Sequence, residues 1–485
     1  LFKTKIINIL HEDIIPLNYE EQVRYIPTDI WNHYIYSIII KEIFSNQIDI
    51  NYIDVDYKNK KDPLAGSMDI NLKEIQKIKK FNEFFFSKFL NKIKLVLNLF
   101  LKNNKYLFID TYFGKLFEAK INLLHFQMPY LFKLSNQIIN KPKKINRNDF
   151  TVDFSTSSDF ENFIKKNISD FIPFSLLENF DLINNNFSKN YLPKKLDVIL
   201  TSHILRDTNY SRYCAQQLEK GTKLIHGQHG GVYGQYKFTW LENHELKISD
   251  KFLSWGWSGS NNKIYPFGIT KPINKITIGK NKKINACNNL LIILRARGRY
   301  TQLINSSTGS DQFLEYINNN IKFGKKLNSK IRKENLVLRF HTRKFAWLEE
   351  ERWKDNFGDL NMNWGDKPIA DMINESKIVV SSYLGTSYLE TLAANIPTIV
   401  FENLKNTEIN DECLKHLNEL KKVGIFFDNS SDAALFINKI WENVEEWWFN
   451  DDLQLKVKKF NDTYSKINTN KLFDIKKLKS EVKKN

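Results

Sequence analysis

Between His226 and Gly234 the chain reads HGQHGGVYG, a short segment that crowds histidine and glycine together. Imidazole is the side chain that exchanges a proton near neutral pH. Glycine lets backbone N–H groups approach a ligand closely, or lets the chain turn sharply. Together they point to proton transfer beside a closely held ligand. His229 is the candidate acid–base residue, and Gln228, Gly230, Gly231 and Tyr233 would line the same loop. A tight turn that the histidines merely cap is the plainer alternative. Upstream, SHILRDTNY brings Ser202, His203 and Asp207 to the end of an apolar run, facing the same crevice. Asp207 fits three roles: general base, nucleophile of a double displacement, or helix N-cap.

A second set of residues suits anions. LRARGRY and RFHTRK place Arg295, Arg297, Arg299, Arg339, His341 and Arg343 after two apolar runs. The planar guanidinium binds phosphate or carboxylate through paired hydrogen bonds, although surface salt bridges would use the same residues. Further on, SSYLGTSYLETLAANIPTIVF ends one apolar run at Ser381 and Ser382 and opens a helix with Gly385, Thr386 and Ser387. A helix N-terminus with hydroxyls and a glycine is a phosphate site, and Glu390, one turn in, would reach a ribose hydroxyl. Ser387 and Glu390 also have the spacing of a capping box.

These segments need a scaffold of strands. From Leu196 the pattern is strand (LDVILTSHI), helix (DTNYSRYCAQQLEKG, stopped by Gly221), strand and glycine loop, then strand (DKFLSWGWSG), the grammar of a doubly wound sheet. Residues from about 260 to 288 read as a linker. A second series follows: NLLIILRAR, a helix after SSTGSD, ENLVLRFHTR, SKIVVSS, TSYLETLAAN, IPTIVF and KKVGIFFDN. The reading is α/β and GT-B-like: two Rossmann-like domains with an interdomain cleft. On this reading residues 1–270 would form an N-terminal domain with helical additions, expected on the acceptor side, 271–430 a Rossmann-like domain expected to bind a nucleotide-sugar, and 431–485 a helical tail. The Trp- and Lys-rich tail would pack on the first domain or rest on a membrane surface.

Composition excludes several classes. With 485 residues, 42% hydrophobic and 14% aromatic, the chain is long and apolar enough for two cores. Three scattered cysteines (Cys214, Cys287, Cys413) argue against disulfides and zinc sites and for a reducing cytoplasm. The net charge of +17 favours acidic partners, but the lysines are spread out and no nucleic-acid motif appears. No run suits a membrane span; the nearest, residues 87–109, is broken by lysines. A secretory signal is not visible. Asp54 and Asp56 form a lone D-x-D without a nucleotide-binding unit around it, so no metal is expected.

The loop residues Gln228, His229, Gly230, Gly231, Tyr233 and Gly234, the pair Ser202 and Asp207, and the segment YLGTSYLETLAANIPTIVF resemble transferases encoded in bacterial O-antigen and surface-carbohydrate gene clusters. The resemblance is good over residues 196–405. More distantly the layout is similar to retaining Kdo transferases of GT-B fold and to capsule enzymes using CMP-activated acidic sugars. On that resemblance His341 with Ser381 and Ser382 would hold a cytidine nucleotide, although His-Thr (His341, Thr342) replaces the usual His-Pro. The expectation is a metal-independent glycosyltransferase with no cofactor, whose substrates are a nucleotide-sugar donor, CMP-linked by resemblance, and a glycan or lipid-linked glycan acceptor. It would be cytoplasmic, with peripheral membrane contact through the tail and no nucleic-acid partner. A CDP-dependent polyol-phosphate transferase and a non-enzymatic basic binder are the alternatives.

Overall fold

A computed structural model describes residues 2–9, 14–44, 46–54, 101, 103–129, 145–150, 152, 155–181, 192–205, 208–271, 276, 284–301 and 304–484. Asp56, Asp207 and most of the apolar run 87–109 lie outside them. Asp54 is exposed and accepts a hydrogen bond from Asn8.

The chain opens on a small parallel pair, β1 (Phe2–Ile7) and β2 (Ile48–Ile53), linked through the helix Asp29–Ile43. Two larger parallel sheets follow. The first runs β3 (Tyr106–Phe108), β4 (Val198–Thr201), β5 (Lys223–Gly227), β6 (Lys251–Ser254) and β7 (Ile264–Pro266), side by side in chain order. The second holds β8 (Asn289–Ile293), β9 (Leu336–Arg339), β10 (Asn361–Asn363), β11 (Ser376–Ser381), β12 (Thr398–Phe401) and β13 (Phe426–Phe427). Its spatial order is β10-β9-β8-β11-β12-β13. Strands such as VILT, TIVF and LLII are buried almost throughout, which is why they read as unbroken apolar, β-branched runs.

The two sheets differ in winding. The second has the dinucleotide-fold order, and its direction reverses between β8 and β11, opening a crevice at their carboxyl ends. The described strands of the first sheet run side by side in chain order, all parallel. The linker is shorter than expected, because β7 lies inside residues 260–288. Its three half-buried residues, IYP, end in proline at a sheet edge, a pattern too short and mixed to register as a strand. The edge strand β10, NMN, is illegible in the sequence for the same reason.

The tail ties both domains together. Its helix Asp451–Tyr464 lies on the second domain, where Asn461 donates to the Leu392 carbonyl at 2.9 Å. The chain then pairs with the first domain, Ile269 donating to the Lys466 carbonyl at 2.8 Å. The final helix Lys471–Lys484 lays Ile475, Leu478 and Val482 over Phe108, Val198 and Leu200 of the first sheet. Each of those buried side chains contributes roughly 1.5–3 kcal/mol. The opposite face is covered by Tyr210, Tyr213 and Cys214 of the helix Thr208–Glu219. Trp448 is fully buried, and Trp447 donates to the Val423 carbonyl at 2.9 Å. The tryptophans that would have rested on a membrane are thus spent on packing. Among the described residues no helix is long and apolar enough to cross a bilayer.

Candidate active site at the domain seam

The histidine loop follows β5 and is pinned from below by Gln228. That side chain is fully buried, donates to the Gly230 carbonyl (2.7 Å), and accepts from the Trp255 backbone and the Trp257 indole (2.8 Å each). Gly234 has φ +69, and a Cβ there would meet the Trp257 ring at 2.5 Å, so only glycine fits. Gln228 and the glycines set the path of the loop; the histidines face its interior.

His229 packs against His203 with ring centroids 4.4 Å apart and planes tilted by 40°, and His203 contacts the Tyr112 hydroxyl at 2.7 Å. Tyr112 itself has φ +64, and its ring centroid lies 4.8 Å from that of His203 and 6.1 Å from that of His229. The Tyr233 hydroxyl lies 3.1 Å from one ring nitrogen of His229, and Glu245 Oε1 lies 3.7 Å away. On the other side of that carboxyl, Oε2 is 3.5 Å from Nδ1 of the fully buried His226. Burial dominates the electrostatics. It pushes His229 down to about 3, with His203 adding to the effect and a hydrogen bond to the Ser202 backbone opposing it. It lowers His226 well below the usual range and raises Glu245 to about 9. Glu242, which accepts from Gly234 N–H at 2.9 Å, rises to about 7 through burial. The groups stand at ion-pair distances, yet a cleft this dry favours the neutral form of each.

The loop reaches across to the second domain. Gly231 N–H donates to Thr386 Oγ1 at 3.0 Å, and a Cβ on Gly231 would meet the Gly385 carbonyl oxygen at 2.3 Å. Thr386 begins the helix Thr386–Ala393, whose N-cap Gly385 makes no side-chain capping bond. The expected capping box is absent: Glu390 faces Lys271 at 2.7 Å. Ser387, partly exposed, stands beside an uncapped helix N-terminus that favours negative charge.

At the switch point of the second sheet, Arg295 follows β8 and is buried. Its guanidinium donates to the Tyr236 hydroxyl (3.0 Å), faces Glu402 (3.5 Å) and lies over the Tyr383 ring (4.7 Å). Burial alone disfavours its charge, but Tyr236, Glu402, Tyr316 and Tyr383 together outweigh that and hold it above the usual range. Arg297, beside it, donates to Ser307 at 3.1 Å and is lowered to about 10 by burial and by Arg295. Ser382 donates to the Ile293 carbonyl at 2.9 Å and contacts the Tyr316 hydroxyl at 2.5 Å; Ser381 donates to the Tyr383 carbonyl at 2.7 Å. Ser382 thus ties the end of β11 to β8, while Ser381 fixes the turn that follows its own strand. Arg339 donates to Asn363 and to the Lys367 carbonyl, and the exposed His341 accepts from Arg343 N–H at 3.0 Å. Arg339 ends β9 and His341 and Arg343 follow it, one strand away from the switch point. Arg299 pairs with Asp29 of the N-terminal segment at 3.7 Å.

A family model for LIC12162 family transferases matches residues 2–478. The chain belongs to that transferase family. Membership makes it an enzyme rather than a purely basic binder. No curated protein matches. Among solved structures, one from Listeria monocytogenes assigned as a UDP-N-acetylglucosamine 2-epimerase is 12% identical, with 67% of this chain and 86% of that chain covered and a TM-score of 0.40. The wall teichoic acid polymerase TagF is 11% identical over 61% of this chain and 73% of that one, TM-score 0.32. MurG of Acinetobacter baumannii is 10% identical over 64% and 78%, TM-score 0.33.

Several side chains of this transferase's seam carried no signal in the sequence. Glu245 and Glu242 look like ordinary charges of a helical stretch, and the helix Trp240–Ile248 turns both inward. Glu402 and Tyr236 gain meaning only from Arg295. Tyr112 lies far from the loop in sequence. Among the described residues no group of His, Cys, Asp and Glu is arranged to hold a metal ion.

Proposed function

We propose that this transferase moves a glycosyl group from a nucleotide-activated donor on its second domain to a hydroxyl acceptor on its first. The reading rests on one contact, Gly231 N–H to Thr386 Oγ1, which brings the histidine loop to the uncapped start of the helix Thr386–Ala393. A phosphate at that helix end would gain from the helix dipole and the backbone N–H groups. Arg295 and Arg297 stand one strand away and suit further negative charge, so a donor carrying a carboxylate as well as phosphate, such as a CMP-linked acidic sugar, fits best. Neutral imidazole at His229, with His203 against it, would take the proton of the acceptor hydroxyl as its oxygen attacks the sugar. The helix end and the arginines would stabilise the charge leaving with the nucleotide. Closing the domains over the seam would keep water from competing for the donor.

Thermal melts of the whole chain with CMP, CDP, UDP, GDP and dTDP, with and without magnesium, test the donor site. We expect CMP to raise the melting temperature and His229→Ala to keep that shift. Turnover of a CMP-linked acidic sugar should fall by about 10²–10⁴ in that variant, the range for a positioned acid–base group. A shift with CDP alone would transfer the reading to polyol-phosphate chemistry. No shift with any nucleotide would overturn it.

A further inference from the structure

Next to His229 a carboxyl is enclosed between two imidazoles. Glu245 is 2% exposed and His226 is not exposed at all. Oε1 of Glu245 is 3.7 Å from Nδ1 of His229, and Oε2 is 3.5 Å from Nδ1 of His226. Both ring nitrogens of His226 and Oε2 of Glu245 are buried, and among the described residues none of the three has a hydrogen-bond partner. A buried polar atom without a partner costs about 1–3 kcal/mol. Three at one spot make a poor structural device, because a Phe or Leu would fill the volume without that cost. The groups facing this carboxyl come from every surrounding element: His226 from β5, His229 and Tyr233 from the loop, and Glu242 one turn earlier on its own helix. His203 and Tyr112 stand beyond His229, and His244 acts on His226.

We propose that Glu245 is a positioning residue for His229, and that it passes a proton to His226 when His229 becomes protonated. The inference rests on the assignment of His229 as the acid–base group. Its steps balance within the cluster. The acceptor O–H bond breaks and its proton bonds to a ring nitrogen of His229. The carboxyl O–H of Glu245 then breaks, and that proton bonds to Nδ1 of His226. A carboxylate is left between two imidazolium rings, an alternation of charge in which each cation faces the anion. In the reverse step His226 returns the proton. No proton has to cross the sealed interior to bulk water. Tyr233, whose hydroxyl lies 3.1 Å from Nδ1 of His229, holds that ring in place beside Glu245.

The test does not need the substrate. The full chain carries ring-¹⁵N histidine, and the His226 and His229 signals, assigned with His226→Gln and His229→Gln, are followed from about pH 6 to pH 10. The carboxyl is raised to about 9 by its burial, so both rings should report an alkaline step as it ionises. That step should vanish in Glu245→Gln. In Tyr233→Phe, which keeps the packing, it should persist at His226 and shrink at His229. An alkaline step unchanged in Glu245→Gln, or none in the parent chain, overturns the proposal. If Glu245→Gln does not fold, Tyr233→Phe decides it: equal steps at both rings in that variant would also overturn it. Loss of turnover in His229→Ala together with an absent step would sink this inference while leaving the transferase reading in place.

Discussion

Both large sheets bring candidate site residues beyond the carboxyl ends of their strands, but in opposite electrostatic states. The first sheet's site is a neutral cluster. His226 and His229 are driven down, Glu242 and Glu245 driven up, and no charge is held against burial. The second sheet's site is charged. Arg295 keeps its proton although buried, because Glu402, Tyr236, Tyr316 and Tyr383 surround it. The cause is the supply of partners. Arg295 has a carboxylate and hydroxyls in place, so ionisation survives desolvation. Around Glu245 the neighbours are themselves neutral when buried, so none can stabilise a charge alone. On the proposed function, a neutral base beside a fixed cationic anchor would be a division of labour suited to moving a group from an anionic donor to a hydroxyl.

Three measurements would break or sharpen that contrast. The largest effect is expected at the charged site. Arg295→Ala leaves Glu402 buried without its cation, and should lower stability by about 3–5 kcal/mol in denaturant melts. A loss as small as that of a surface change would mean that Arg295 is not held as a buried ion.

The neutral site predicts a pH dependence. Glu245 ionises at 4.5 when unfolded and at about 9 when folded, so its contribution is fully present below 4.5 and is lost as pH rises towards 9. His229 runs the other way, from 6.5 unfolded to about 3 folded, so its contribution is lost as pH falls from 6.5 towards 3. The two slopes nearly cancel between those unfolded values, giving a plateau. From about pH 6.5 to 8.5 stability should fall by roughly 2 kcal/mol, one proton's worth per pH unit after allowance for incomplete titration. The melting temperature of Glu245→Gln should stay flat over that range. A parent chain that is equally flat would show that Glu245 is already ionised when folded.

The smallest effect separates two readings of one helix. Gly385, not Ser387, is the N-cap, and Glu390 faces Lys271. Ser387→Ala should therefore change stability by less than about 0.5 kcal/mol. A capping box would have lost about 1 kcal/mol, and a loss of that size would restore it.

Local pattern alone determines much of this protein. Strands buried on both faces must be apolar and β-branched along their length, so LDVILTSHI, NLLIILRAR and IPTIVF announce themselves. Glycine at sites such as Gly231 and Gly234 is demanded by close backbone approach and positive φ, so the loop is legible too. Short or mixed elements, β7 and β10, are not, because two or three residues carry no period. Tertiary structure alone decided the strand order and hence the switch point at Arg295 and Ser382. It decided that the tail's final helix returns to the first sheet, and that Glu245 faces two histidines. It also brought Gly231 to Thr386, 155 residues away in the chain. Such contacts depend on how complete elements pack, and a pattern of apolar and polar residues says which face of an element is buried, but not against what.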